Sequence, residues 1–151
     1  RLIQVTSAAQ MFQSCKDQPY DIAVMAAAVA DYTPVEVAGQ KIKKSGETLE
    51  LKLKKTEDIL AMLGRSKKNG QLLVGFALET QNESENARKK LQEKNADLVV
   101  LNSLNDEGAG FGHDTNKVTL FYKDGKQQEL ALQSKSSVAK AIVNAIIDLK
   151  S

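Results

Sequence analysis

One cysteine, Cys15, and one histidine, His113, are all the thiol and imidazole this chain contains. A single cysteine excludes an internal disulfide and any cysteine-based zinc cage. A single histidine leaves a serine–histidine triad one candidate base, and no nucleophile motif supports it. Long apolar runs are missing too: nothing approaches the roughly 20 residues that a membrane-spanning helix needs. No signal peptide is recognisable, so the cytoplasm is the expected compartment and no membrane partner is expected. Charge of one sign is also lacking. Against 21 lysines and arginines stand 19 aspartates and glutamates, a net +2, whereas a dedicated duplex DNA binder usually carries a much larger positive excess. Gly108, Gly110 and Gly112 suggest a phosphate loop only loosely, because no Lys-Ser/Thr pair follows and no helix opens there. No dinucleotide fingerprint is present, which weakens a hydrogen-transfer reading.

What is present suits one globular domain, 1–151, since 42% of the residues are hydrophobic and 26% charged. Residues 2–5 read as a strand, and with Arg1 in first place the true beginning is expected upstream. Thr6 or Ser7 is placed to cap a helix to about Cys15. Ala8, Ala9, Met11 and Phe12 give that helix an apolar face, and Cys15 reads as a small buried hydrophobe. The apolar run 21–28 predicts a strand covered on both sides. Leu49, Leu51 and Leu53 alternate with Glu50, Lys52 and Lys54, which predicts a strand with one wet face. Thr56, Glu57 and Asp58 start a helix that ends between Gly64 and Gly70.

The remainder continues the alternation. Residues 71–78 are a buried strand, 79–82 a turn, and a polar helix follows to about Lys94 with Ala87 and Leu91 on one face. A third buried strand covers 97–102, and a polar glycine-rich loop covers 103–116. Strands at 118–122 and 129–132 flank an Asp-Gly turn, the signature of a hairpin. Ser134 to Ser137 cap a last helix with Val138, Ile142, Ala145, Ile146 and Leu149 inward. The fold class is therefore α/β: a mostly parallel, Rossmann-like sheet flanked by helices, with an antiparallel hairpin near the C-terminus. Ligands in such sheets lie at the carboxyl ends of strands. That rule selects 26–31, 76–82 and 103–116, which are expected to converge.

Within these segments several residues admit two readings. Met25, Ala26 and Ala27 leave backbone open to a flat ligand. Lys41, Lys43 and Lys44 surround Ile42, as a phosphate-handling site or simply a solvated patch. Asp31 suits ribose hydroxyls or a water-bridged magnesium ion, and equally an ordinary turn. Phe76 stacks on a base or fills core. Lys90 and Lys94 lie four apart on one helix, able to neutralise a triphosphate or to face solvent. The helix start at 56–60 offers free amides, and Glu57 and Asp58 favour a donor-rich partner there over a phosphate. His113 reads as a surface loop residue with no chemistry assigned.

Five ordered segments carry a resemblance. They are Met-Ala-Ala-Ala-Val-Ala-Asp-Tyr (25–32), Lys-Ile-Lys-Lys (41–44), Lys-Thr-Glu-Asp-Ile-Leu (55–60), Val-Gly-Phe-Ala-Leu-Glu-Thr (74–80) and Ala-Arg-Lys-Lys-Leu-Gln-Glu-Lys-Asn-Ala-Asp (87–97). With Gly-Phe-Gly-His-Asp-Thr-Asn-Lys-Val at 110–118, the chain resembles the bacterial phosphopantothenate–cysteine ligases over essentially its whole length. In the bifunctional coenzyme A biosynthesis protein this is the C-terminal domain. The resemblance implies CTP-dependent activation of the 4′-phosphopantothenate carboxylate as an acyl-cytidylate, then amide formation with cysteine. It implies that Met25, Ala26 and Ala27 lie beside the nucleotide and that Asp31 contacts nucleotide or magnesium. Lys41 becomes the catalytic residue, on a mobile flap. Glu57, Asp58, Ile59 and Leu60 read the cytosine edge, Phe76 lines base or sugar, and Lys90 and Lys94 hold the triphosphate.

The resemblance further implies a homodimer, helped by the hairpin region, and a fused or associated flavin-dependent decarboxylase. Magnesium would accompany CTP. The family's upstream glycine-rich segment and its acyl-site asparagine have no match here, so nucleotide binding is expected of a catalytically incomplete chain. Two rivals stand beside this reading: a nucleic-acid-binding module using the basic clusters at 41–44, 52–55 and 88–90, and a non-catalytic dimerising fragment.

Overall fold

In chain order the elements are α1 (Ala8–Lys16), β1 (Ile22–Met25), β2 (Tyr32–Pro34), β3 (Leu53–Lys55), α2 (Ile59–Ser66), β4 (Leu72–Glu79), α3 (Glu83–Glu93), β5 (Leu98–Ser103), β6 (Thr115–Tyr122), β7 (Gln127–Ser134) and α4 (Lys135–Lys150). The structure, a computed structural model, describes residues 1–43, 46–103 and 112–151. The chain divides into two units: Arg1–Asp17 with Ala28–Ile59, and Gln18–Ala27 with Leu60–Ser151. No helix among the described residues is long and apolar enough to cross a membrane.

The second unit holds a five-stranded sheet in the order β1-β4-β5-β6-β7. β1 pairs parallel with β4 and β4 with β5, while β6 pairs antiparallel with both β5 and β7. β1, β4, β5 and β7 thus share one direction and β6 runs against them, the α/β sheet and terminal hairpin that the alternation predicts. The hairpin turns through Gly125, whose φ of 92° suits a residue without a side chain. The Tyr122 N–H donates to the Lys126 carbonyl at 3.0 Å, closing the turn. Thr115 and Asn116, assigned to the polar loop from sequence, instead pair with Ser134 and Gln133 at the start of β6. Ladder hydrogen bonds go through the backbone, so polar side chains are no bar to a strand end.

The two faces follow from the period of two along each strand. On one face Val74, Leu98, Val100, Val118, Leu120, Tyr122 and Leu130 form the core with Val138, Ile142, Ala145 and Ile146 of α4. Ser134 caps α4, its hydroxyl accepting the Ser137 N–H at 3.1 Å. Full burial of each larger side chain is worth about 1.5–3 kcal/mol. On the other face α3 buries Ala87 and Leu91. Arg88 ties α3 toward the hairpin: its guanidinium lies 5.1 Å from the Phe121 ring centroid and donates to Gln127 Oε1 at 2.9 Å.

The amino ends of β4 and β5 are locked by a polar node. Lys67 Nζ reaches both Asp97 carboxylate oxygens at 2.8 Å, and Asp97 Oδ2 accepts the Leu73 N–H at 2.8 Å. Asn95, held at φ 48°, accepts Lys67 on its carbonyl and Lys123 on its side-chain oxygen, and its amide donates to the Gly64 carbonyl at 2.9 Å. A Cβ at Gly64 would stand 1.8 Å from the Lys94 carbonyl oxygen. That approach explains how α2 carries a glycine in its interior.

Several expectations need correcting. Residues 2–5 form no strand, and Leu2, Ile3 and Val5 are exposed, because strand propensity does nothing without a paired edge. The run 21–28 is reduced to β1, where Ile22 and Val24 are 43% and 46% exposed. As the last strand in the order, β1 has one ladder neighbour and less cover than a central strand. Of 49–54, only Leu53 and Lys54 join β3, which pairs antiparallel with β2. Leu49, Leu51 and Leu53 are all exposed, and only Leu53 lies in a strand. In α1, Ala8, Met11, Phe12 and Cys15 are half-buried and Ala9 is exposed, so Cys15 is not a fully buried hydrophobe. The Thr56 hydroxyl donates to the Ala30 carbonyl at 2.6 Å rather than capping α2, which starts at Ile59 and runs through Gly64 to Ser66.

Candidate functional site

β1 stops at Met25, level with Gly75, while β4 continues to Glu79 paired with β5. At that step, in the second unit, four of the predicted residues meet. Lys90 sits in the last turn of α3 and its ammonium donates to the Phe76 carbonyl at 2.8 Å. Helical side chains lean toward the helix N-terminus, which carries Lys90 back along β4. An ammonium has three donors, so two remain beyond this bond. The Leu60 side chain lies on Gly75: a Cβ there would stand 2.7 Å from Leu60 Cδ2 and 3.4 Å from Cδ1. Met25, Leu60, Phe76 and Lys90, all half-buried, thus come together near the end of β1 through the backbone of Gly75 and Phe76, while the Phe76 ring itself packs against the core on the α4 face.

Polar groups gather at the neighbouring strand ends. Asn86 donates to Glu79 Oε2 and to the Gln81 carbonyl, both at 3.0 Å, holding the turn in which Asn82 takes a φ of 48°. Ser103 donates to Glu83 Oε1 at 2.7 Å, joining the end of β5 to the start of α3. Asn102 has a buried side-chain oxygen with no hydrogen-bond partner among the described residues. A buried acceptor left unmatched costs about 1–3 kcal/mol, so it calls for a compensating role. Sequence reasoning missed Asn102. The signal was there: Leu98 and Val100 are core on its face, and the next residue of that parity is polar.

The other predicted residues are placed as follows. Ala26 and Ala27 continue from β1, exposed, in the second unit. Asp31, Lys41, Glu57 and Asp58 are exposed and Ile59 is buried, all in the first unit. There the Asp31 carbonyl accepts the Thr56 N–H at 2.9 Å. The segment 26–31 is thus divided between the units after Ala27. Lys94 is the C-cap of α3, about 6 Å further than Lys90 from the carboxyl ends by helical rise. Lys44 and, within the 103–116 loop, residues 104–111 lie outside the described residues. His113 is exposed.

No group of three metal-ligating side chains occurs among the described residues. Magnesium is usually held by one or two carboxylates together with phosphates, so the single carboxylate of Asp31 suits an ion that arrives on a nucleotide. Burial raises the Cys15 thiol above its ordinary value, which keeps it protonated and poorly nucleophilic. A cleft of about 270 Å³ opens among Glu83, Ser103, Lys117 and Glu129. It includes neither Phe76 nor Lys90.

These features define an open α/β domain of Rossmann-like type whose polar groups and exposed backbone collect at the carboxyl ends of its strands. The chain belongs to the DNA/pantothenate metabolism flavoprotein C-terminal domain family, whose model matches residues 1–149. It is 48% identical over 149 residues to the coenzyme A biosynthesis bifunctional protein CoaBC of Bacillus subtilis (strain 168), covering 97% of this chain and 36% of that protein. It is 47% identical over 150 residues to a cysteine/cysteine sulfinic acid decarboxylase of an unknown prokaryotic organism, covering 98% of this chain and 42% of that protein. The chain thus spans well under half of these relatives. Among solved structures, the C-terminal domain of CoaBC superposes with a TM-score of 0.74 at 39% identity, over 95% of this chain and 63% of that one.

Proposed function

We propose that the chain is the nucleotide-binding part of a phosphopantothenate–cysteine ligase that uses CTP. The juxtaposition of Lys90 with Phe76 at the end of β1 carries this reading. It sets an ammonium with two further donors at the Phe76 carbonyl, on β4 just past the end of β1. The backbone around Leu60 reads the cytosine edge, Phe76 lines base or sugar, and Lys90, with Lys94 a turn away, neutralises the triphosphate. Asp31 contacts the magnesium that CTP brings, and Lys41 acts from its flap in the role that the resemblance gives it.

The chemistry needs little more than charge and position. The carboxylate of 4′-phosphopantothenate attacks the α-phosphorus of CTP, pyrophosphate leaves, and an acyl-cytidylate forms. The cysteine amine then attacks the acyl carbon, CMP leaves with the bonding pair, and an amide results. Cationic groups placed on the phosphates stabilise the charge that develops on the leaving oxygen. Holding carboxylate and phosphorus together removes most of the entropic barrier. A closed flap protects the mixed anhydride from water.

Calorimetric titration of the full-length protein with CTP, ATP, GTP and UTP, each with magnesium, tests the reading. CTP is expected to bind most tightly. Binding to RNA with indifference to CTP would favour the nucleic-acid reading, and no binding to either would favour the dimerising fragment. Lys41→Gln is expected to stop product formation without unfolding the protein, and undiminished product would remove Lys41 from the mechanism.

A further inference from the structure

We infer that Glu79 holds the divalent cation that accompanies the nucleotide, its carboxylate standing beside the Lys90 ammonium along one face of α3. The inference rests on the proposal that Lys90 binds the triphosphate. Asn86 and Lys90 are four apart and so share a helix face, and each reaches β4. Asn86 donates to Glu79 Oε2 at 3.0 Å, and Lys90 donates to the Phe76 carbonyl at 2.8 Å. α3 thus runs back along β4, with one bond at each end of the segment 76–79. Glu79, Asn86 and Lys90 are all half-buried, and all belong to the second unit.

The spacing is too wide for a direct pair and suits a bridged one. Phe76 to Glu79 is about 10 Å of strand, and Asn86 to Lys90 is about 6 Å of helix. No ion pair joins Glu79 to Lys90 among the described residues. Both groups keep unused capacity. Two Lys90 donors remain, and among the described residues the Glu79 side chain takes only the Asn86 hydrogen, on Oε2. Spare ammonium donors suit a phosphate, and a spare carboxylate oxygen suits a cation. Magnesium bonds oxygen at about 2.0–2.1 Å and is usually held by one or two carboxylates together with phosphates. A phosphate that meets the metal through one oxygen and Lys90 through another fits the gap. Asn86 commits its two amide hydrogens to Glu79 and to the Gln81 carbonyl. That fixes the carboxylate and leaves Oε1 for the metal, as supporting hydrogen bonds do for metal ligands. Asp31, the other carboxylate assigned to magnesium, belongs to the first unit, whereas Glu79 sits on the strand that Lys90 touches.

Glu79→Gln separates charge from structure, because the glutamine oxygen still accepts the Asn86 hydrogen. The test is calorimetry of the full-length protein, wild type and Glu79→Gln, with CTP in excess magnesium and again with EDTA. With magnesium the variant is expected to bind CTP about tenfold to a hundredfold more weakly. With EDTA it is expected to bind as well as wild type or better, since a bare carboxylate repels a triphosphate. Manganese in place of magnesium gives a second readout. Water-proton relaxation of the complex with CTP should rise in the variant, as water takes the carboxylate's position on the metal. Equal weakening with and without metal, no weakening with it, or unchanged relaxation overturns the inference. If Glu79→Gln does not fold, Asn86→Ala carries the same titrations, and a metal-independent result there overturns it. A wild type that binds CTP equally well in EDTA overturns this inference alone, whereas one that binds no CTP removes the nucleotide reading with it.

Discussion

The Lys90 ammonium donates to the Phe76 carbonyl at 2.8 Å, joining the last turn of α3 to β4 just past the point where β1 ends. One of its three donors is thereby committed to the fold. Lys90→Met is expected to lose this bond, worth about 1–3 kcal/mol because its donor is charged, and to weaken CTP binding as well. Urea unfolding and calorimetry separate the two effects. A variant that is less stable but binds CTP normally would leave Lys90 a purely structural role.

Asn102 presents the opposite balance. Its side-chain oxygen is buried without a donor among the described residues, so Asn102→Leu should raise the unfolding midpoint, with a gain in stability of up to about 1–3 kcal/mol if the whole penalty is relieved. The same change should weaken binding of substrate or nucleotide at the end of β5. A lower midpoint would show that the amide is required by the fold.

At the amino end of the strands, function and stability should come apart. Lys67 and Asp97 side chains are 9% and 14% exposed. Lys67→Met leaves the Asp97 carboxylate with the Leu73 N–H and no counter-charge, a loss of about 3–5 kcal/mol by analogy with broken buried pairs. CTP affinity of the protein that remains folded should be unchanged. A large loss of affinity in folded protein would link this node to the site.

Alkaline titration gives a further check. Burial, then Asp148 and Asp124, raises the Tyr122 phenol above its ordinary value, and burial and Asp97 raise Tyr20. As pH climbs past about 10 the unfolded chain releases these protons first. The folded state then binds more protons than the unfolded one, and stability falls with rising pH. Tyr122 donates to Gln128 Oε1 at 3.1 Å, so ionisation also removes a hydrogen bond. Tyr122→Phe should be less stable at neutral pH and should show a shallower decline above pH ~10. An unchanged slope would assign the effect to Tyr20.

Local chemistry made much of the fold legible. Ser134 capped a helix, Asp124-Gly125 turned a hairpin, and Ala87 with Leu91 marked an inward face, because each signal acts within a few residues. The apolar run at 21–28 misled for the opposite reason: its burial depends on which strands flank β1, and a run of alanines and valines does not encode that. Leu49, Leu51 and Leu53 alternate as a half-buried strand should, yet all three stand exposed and only Leu53 pairs in a strand.

The site divides in the same way. Residue types and order along the chain were enough to name Phe76, Lys90, Met25 and Leu60 as candidates, since ordered motifs are a property of sequence. That the Lys90 ammonium reaches the Phe76 carbonyl, that Leu60 lies on Gly75, and that Asn102 holds an unmatched oxygen depended on packing between segments far apart in the chain. Non-local contacts of that kind are set by the summed burial and hydrogen bonding of the whole domain, so no single stretch of residues specifies them.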